Sequence, residues 1–377
     1  ALGHDVGVLV RDPRRIVGRP WVDDVEVAVG DVENPSTLPA ALAGIDVAYY
    51  LIHLMDSGRD FVERDRQAAL NFAAAAEGVR RVIYLGGLLP DSERISPHLA
   101  SRAEVGSILR ETLPTVEFRA GPVIGSGSAS FEILRYLVER LPVMITPRWI
   151  STPCQPIAVR NVLHYLSACL ECEATIGDTF DIGTEEVVTY RDLMRIYAEE
   201  AGLAKRLIIP VPVLTPRRSS YWIHLVTPVP ASLAKPLAEG LKNPVLCRDN
   251  RIRELIPQDL LNNRQAISLA LEKMRLQQVE TSWTDAGFMA PAEWSQRDDP
   301  DWAGGTDFKD DRRMLVKGKA CDCWPAVVGI GGKTGWHYGD WLWHLRGWID
   351  RLIGGPGLSR GRRDPFQIRQ GDALDFW

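Results

Sequence analysis

Apolar residues follow two rhythms along this chain. Short unbroken runs, Val6 to Val10, Val25 to Val29, Val47 to Ile52, Arg81 to Leu85 and Val116 to Arg119, are rich in β-branched residues and bounded by Gly, Pro or Asp. That is the signature of strands buried on both faces. Between them, Pro35 to Leu42 and Phe61 to Ala76 carry apolar positions at helical spacing, the second stopping at Gly78. Strands alternating with helices at this pace predict βαβ units, right-handed crossovers and a parallel sheet. Gly3 reads as the stop of a helix end, and Val6 to Val10 as the second strand of the sheet.

The run from Arg81 to Gly125 has the greatest capacity for chemistry. It reads as strand, loop, helix, strand, the first strand stopped by Gly86-Gly87 and the second by Gly121-Pro122. Ser96 followed by Pro97 predicts a helix start, since the hydroxyl can accept from free amides and proline sits where no N–H is needed. His98 and Arg102 then fall on one helix face, four residues apart. A competing start at the capping box Ser101-Arg-Ala-Glu104 would break that pairing. Loops at the carboxyl ends of parallel strands are where open α/β sheets bind ligands.

Further on, the pattern predicts an amphipathic helix over Ser130 to Leu141, a helix within Ile157 to Leu170, a strand over Thr179 to Gly183, and a capping box at Thr189-Tyr-Arg-Asp192 opening a helix to Glu200. Leu207 to Gly240 is apolar but broken by prolines and by Arg217-Arg218, which excludes a regular membrane span. An irregular pocket wall is preferred there to a peripheral membrane contact, for which Tyr221-Trp222 beside the arginines would speak. Gln277 to Gly305 turns polar and reads as a linker. Beyond it Trp341, Leu342, Leu345, Trp348, Ile349 and Leu352 recur at helix spacing, which predicts that most of these tryptophans are core.

The 377 residues suit two domains, and 45% hydrophobic with 25% charged is ordinary globular composition. A net charge of −5 gives no field for nucleic acid, despite local basic residues at Arg346 to Arg363. Six cysteines without a regular framework suggest a reducing, cytoplasmic setting. Cys169-x-x-Cys172 and Cys321-x-Cys323 lack the further ligands a zinc site needs, so no metal is expected. The chain opens at Ala1 in an apparent helix end and stops at Trp377 on a strand-like run, and it reads as a fragment.

The order Val-Leu-Val-Arg11-Asp-Pro, Gly30-Asp31-Val32, Tyr50-Leu-Ile-His53, the Ser96 to Glu104 helix and Arg119-Ala-Gly-Pro-Val-Ile-Gly125 resembles the NmrA-like branch of the atypical short-chain dehydrogenase/reductases. The resemblance implies an α/β fold with a doubly wound parallel Rossmann sheet over 1–276, including a substrate lobe at about 126–276. The family's first strand and glycine-rich turn would precede Ala1, so a fragment without them should hold a dinucleotide poorly while the intact protein holds it well. After the linker at 277–305, residues 306–377 look like a partial α+β, START-like domain of unknown function found behind such reductases, a possible carrier of an apolar ligand.

Active reductases of this kind use a serine, a tyrosine that protonates the carbonyl and a lysine that lowers the tyrosine pKa and holds the nicotinamide ribose. Here the Tyr-x-x-x-Lys position reads His98-Leu-Ala-Ser-Arg102 and the serine position reads Gly86-Gly87. Histidine titrates near neutrality and can act as a general acid, whereas Arg102 can hold ribose hydroxyls but cannot relay a proton. His98 and Arg102 are therefore the catalytic candidates. Arg11, after the second strand, can grip a 2′-phosphate, which favours NADP(H) with NAD(H) as the second choice, and Asp31 suits the adenine amino group. The resemblance adds Val32, Leu51, Ile52, His53, Gly86, Gly87, Arg102, Gly121, Pro122 and Val123 around the cofactor, although a lone histidine such as His53 more often packs structurally. Two functions stay open: an NADP(H)-dependent oxidoreductase acting on a small hydrophobic carbonyl or quinone-like substrate, and an NAD(P)H-binding sensor or assembly protein without turnover.

Overall fold

The computed structural model describes residues 3–16, 19, 21–54, 60–91, 95–211, 236–237, 239–275, 314–331, 335–336 and 338–352. The apolar runs form strands β1 (Gly7–Val10), β2 (Glu26–Val29), β3 (Val47–Tyr50), β4 (Arg81–Gly87) and β5 (Thr115–Ala120). Helix α1 (Leu38–Leu42) lies between β2 and β3, α2 (Phe61–Ala75) between β3 and β4, and α3 (Pro97–Thr112) between β4 and β5. Strand β4 does not stop at Leu85: it runs on through Gly86 and ends at Gly87, which pair with Arg119 and Ala120. A parallel neighbour already in register supplies the ladder bonds that override the glycines' weak strand preference.

The chain continues through β6 (Val123–Ile124), α4 (Ala129–Arg140), β7 (Val143–Pro147), β8 (Pro153–Cys154), β9 (Ile157–Ala158), α5 (Val159–Ala168), β10 (Thr179–Ile182), β11 (Val188–Thr189), α6 (Tyr190–Glu200) and β12 (Leu207–Val211). After these come α7 (Ile252–Leu255) and α8 (Asn263–Arg275). The capping box is formed in full: the Thr189 hydroxyl accepts from the Asp192 amide and the Asp192 carboxylate accepts from the Thr189 amide.

Strands β3, β4, β5 and β10 make one parallel sheet in the order β10-β5-β4-β3. Alternate residues explain why both faces are apolar. Ala48, Tyr50, Val82 and Tyr84 pack under α2 and α3, while Ile83, Val116, Phe118, Phe180 and Ile182 pack under α5 and α7. Strands β1 and β2 form a separate parallel pair, joined to the rest through the cluster of Leu9, Leu38, Ile52 and Ala68. A second cluster unites α4, α6 and α8 with Met144 of β7 and Ile208 of β12 into the lobe that follows β5.

This compact unit comprises Ala1–Arg14 and Asp23–Gln278; the other comprises Arg15–Val22 and Val279–Trp377. The described part of the second holds α9 (Ala320–Val328) and α10 (Asp340–Leu352). The helix is as predicted, but Trp341, Leu342, Leu345, Trp348 and Ile349 are exposed rather than core. Periodicity fixes the helix and its apolar face; burial needs an element to cover that face, and among the described residues of this unit none does. The Tyr221-Trp222 patch, the 277–305 linker and the last segment of the second domain lie outside the described residues.

The loop after β5 meets the lobe very closely. A Cβ on Gly121 would lie 1.8 Å from the Gln155 carbonyl oxygen, so only glycine fits. Gly121→Ala is expected to cost about 1–3 kcal/mol, read as a lower urea midpoint at unchanged m-value.

Candidate functional site

Parallel strands carry their carboxyl ends to one edge, and the predicted residues cluster there. Arg11 follows β1, Asp31 and Val32 follow β2, Leu51 to His53 follow β3, Gly87 closes β4, and Gly121 to Val123 follow β5. Helix α3 begins above that edge. Its cap is the predicted one: Pro97 is the first helical residue and the Ser96 hydroxyl accepts from the Leu99 amide at 3.3 Å. The competing start at Ser101 is excluded, and His98 and Arg102 share a face.

His53 is not a lone packed histidine. Its Nδ1 lies 3.0 Å from Asp65 Oδ2, and its Nε2 lies 3.1 Å from His98 Nδ1, with ring centroids 5.0 Å apart. Asp65, on α2, is 3% exposed. Its Oδ1 accepts from the Leu54 amide at 2.9 Å and its Oδ2 from the Ser101 hydroxyl at 3.0 Å. Three segments distant in sequence thus meet in one hydrogen-bonded row, Asp65–His53–His98.

The electrostatics follow from this arrangement. Burial is the largest influence on Asp65 and by itself raises its pKa, but the hydrogen bond and charge of His53, the Leu54 amide and Ser101 together hold it below the ordinary carboxylate value. His98 is pushed down to about 3, first by burial, then by the neighbouring His53 and Arg102. His98 is therefore a neutral imidazole at physiological pH. Arg102 folds back on β4: its guanidinium donates to the Leu85 carbonyl and lies 5.8 Å from the Tyr84 ring centroid, and the Tyr84 hydroxyl donates to the Arg102 carbonyl at 3.0 Å.

The remaining predicted residues take varied places. Arg11 and Leu51 are exposed, whereas the Val32 side chain is buried and its carbonyl accepts from Asn71 at 2.8 Å. Asp31 Oδ1 accepts from the Glu33 amide at 3.0 Å, and Glu33 pairs with Arg64 at 2.6 Å. Ile52 packs among the helices beside the sheet. A Cβ on Gly87 would sit 3.1 Å from Leu99, and one on Gly86 3.3 Å from both Glu117 and Tyr84. The Pro122 carbonyl accepts from Ile157 at 3.0 Å and Val123 pairs with Ile157. Sequence reasoning missed Asp65 and Ser101. The signal for Asp65 was present: it falls in phase with Ala68, Ala69 and Phe72 on the buried stripe of α2, where an acid needs a partner.

Residues 1–113 match a family model described as NAD(P)H-binding, and residues 302–377 match one described as a protein of unknown function (DUF2867). No curated protein matches. Triphenylmethane reductase of Citrobacter sp., solved with NADP(H), superposes at a TM-score of 0.56 with 19% identity, covering 70% of this chain and 90% of its own. UDP-glucose 4-epimerase of Bifidobacterium longum, solved with NAD+ and UDP, gives 0.53 with 14% identity over 73% and 92%. The corresponding epimerase of Thermotoga maritima gives 0.54 with 12% identity over 74% and 93%. The parallel-sheet α/β fold is thus the Rossmann-like fold of NAD(P)-dependent reductases and epimerases.

Because the folded pKa of His98 is lowered to about 3, the unfolded chain binds a proton there that the folded chain does not, from about pH 6.5 downward. Stability must fall with pH through that window. Asp65 acts lower, its contribution being lost only as pH falls through the carboxylate range. His98→Asn should therefore lose less stability than the parent between pH 7 and pH 5, by on the order of 1 kcal/mol after discounting for partial exposure. Urea titrations at the two pH values measure this.

Proposed function

We propose that the chain is an NADP(H)-dependent reductase of hydrophobic carbonyl or quinone-like compounds, with His98 as the proton-donating side chain. The observation that carries this reading is the fixed placement of His98 at the start of α3, with Nδ1 engaged by His53 and Nε2 on the opposite edge of the ring. A bound nicotinamide would supply the hydride. The residues fit such a group: the strand ends form one edge, Leu51 offers exposed apolar surface there, and Arg11 offers an exposed guanidinium beyond β1, where a ribose 2′-phosphate is gripped in this fold. The NADP(H) complex of the Citrobacter reductase supports the same choice of cofactor.

The substrate side is apolar. Leu99, next to His98, packs with Leu88, Cys154 and Val245, flanked by Val188 and Tyr190 of the lobe. Apolar packing on this side of His98 suits a hydrophobic carbonyl, with His98 as the polar group that would orient its oxygen. Arg102, tied to the Leu85 carbonyl, keeps positive charge beside the site without being able to give up a proton. All six cysteines are unpaired, which supports a reducing, cytoplasmic compartment.

Arg11→Ala is expected to weaken NADPH binding about tenfold or more while leaving NADH nearly unchanged, by titration of dinucleotide fluorescence. His98→Ala should slow NADPH oxidation with 9,10-phenanthrenequinone by roughly 10²–10⁴ while cofactor affinity stays within a few-fold. Tight NADPH binding with no oxidation across a panel of aldehydes, ketones and quinones would instead establish the sensor reading.

A further inference from the structure

On the reading that His98 donates the proton, we infer that Asp65 and His53 form a relay behind it: as His98 Nε2 gives its proton to the substrate oxygen, His98 Nδ1 takes the proton carried on His53 Nε2. The row of contacts runs Asp65 Oδ2 to His53 Nδ1 at 3.0 Å, then His53 Nε2 to His98 Nδ1 at 3.1 Å. A hydrogen bond between two ring nitrogens holds one proton. With that proton on His53, both His53 nitrogens donate, and neutral His98 carries its own proton on Nε2 as a donor. With the proton on His98 Nδ1 and the Nε2 proton given to the substrate, His53 is neutral and His98 Nε2 is a bare acceptor. The two shifts together switch Nε2 from donor to acceptor, and His98 carries one ring proton before and after.

The surroundings require such a device. His98, pushed down to about 3, holds no imidazolium to spend at neutral pH, and a neutral imidazole alone is a feeble acid. The counter-charge sits one ring further back. Asp65, 3% exposed and fixed by Leu54 and Ser101, faces His53 rather than His98. Arg102, on α3, adds positive charge that opposes a cationic His98. Tyr84 on β4, raised by burial to about 12, and Tyr50 on β3, also raised by burial, stay neutral beside the row. In the relay, His53, the ring beside the carboxylate, is the one that carries the spare proton, and His98 passes it on.

The step balances. As hydride reaches the carbonyl carbon, the carbonyl oxygen forms a bond to the His98 Nε2 proton; the N–H bond at Nε2 breaks, one at Nδ1 forms, and that on His53 Nε2 breaks. The products are an alcohol, oxidised nicotinamide and neutral His53, with Asp65 a carboxylate throughout. After the alcohol leaves, one proton taken up from solution re-forms the His98 Nε2–H bond as the Nδ1 proton goes back to His53 Nε2.

The test uses the full chain labelled with 15N-histidine, free of cofactor, followed by NMR from pH 5 to pH 9. His53 is expected to lose its imidazolium character and His98 to change from the Nε2–H to the Nδ1–H tautomer with one common midpoint. In His53→Gln the His98 tautomer should no longer follow pH. In parallel, NADPH oxidation with 9,10-phenanthrenequinone should give a curved proton inventory in mixed light and heavy water, becoming linear and roughly 10²-fold slower in His53→Gln. Should that variant not fold, Ser101→Ala keeps both rings and removes one donor from the carboxylate; the common midpoint is then expected to rise, and an unmoved midpoint counts against the relay. A His98 that keeps one tautomer throughout, in a protein whose NADPH oxidation still needs His98, overturns the relay and leaves the reductase reading standing. If His98→Gln oxidises NADPH as fast as the parent, His98 is not the proton donor and the relay falls with it, whereas a parent that binds NADPH without oxidising it sinks the reductase reading.

Discussion

A carboxylate on the inner face of a helix has to be answered, because burying charge without partners costs several kcal/mol. Asp65 is that group, and the geometry around the site follows from answering it. The loop after β3 must pass close enough for the Leu54 amide to reach Oδ1, which sets the position of His53. Helix α3 must present Ser101 to Oδ2, which sets its rotation and brings His98 to His53. One charge on α2 thus fixes two other segments.

A second buried acid shows that the choice of partner decides the outcome. Glu117, on β5, has a 1% exposed side chain and is held between Arg110 and Arg119 at 2.9 Å each, with the Thr179 hydroxyl at 3.2 Å. Its main partners are guanidinium groups, so the cluster is a fixed ion-paired brace. Asp65 is answered by a histidine, a side chain that can either carry or release a proton. The same need to satisfy a buried acid gives a static brace at one place and a group able to hold or release a proton at the other.

The alternation of strands and helices, the Ser96 cap and the Thr189 capping box were legible because each depends on neighbouring residues. What could not be read depends on tertiary contact. β4 extends through Gly86-Gly87 because β5 lies beside it, and α10 keeps its apolar face exposed because periodicity does not say what covers a face. The shared helix face of His98 and Arg102 was readable from their spacing, while their candidacy for a site came from the family resemblance. His53 was placed at the right edge but without partners, since those partners are 12 and 45 residues away. Asp65 was readable only as an acid in phase with an apolar stripe.

Helix α3 is indexed from its first residue. Pro97 and the Ser96 cap fix where the spiral starts, and His98 is the next residue in line. One residue added between the cap and His98 would turn the imidazole by about 100° around the helix axis. Buried Val105 and Leu109, held by the sheet, would keep the rest of the helix from turning to compensate. This short segment should therefore tolerate substitution but not insertion or deletion. Among relatives of the chain, gaps should fall elsewhere in the loop after β4, and the count from cap to imidazole should persist even where the residues between β4 and the cap differ.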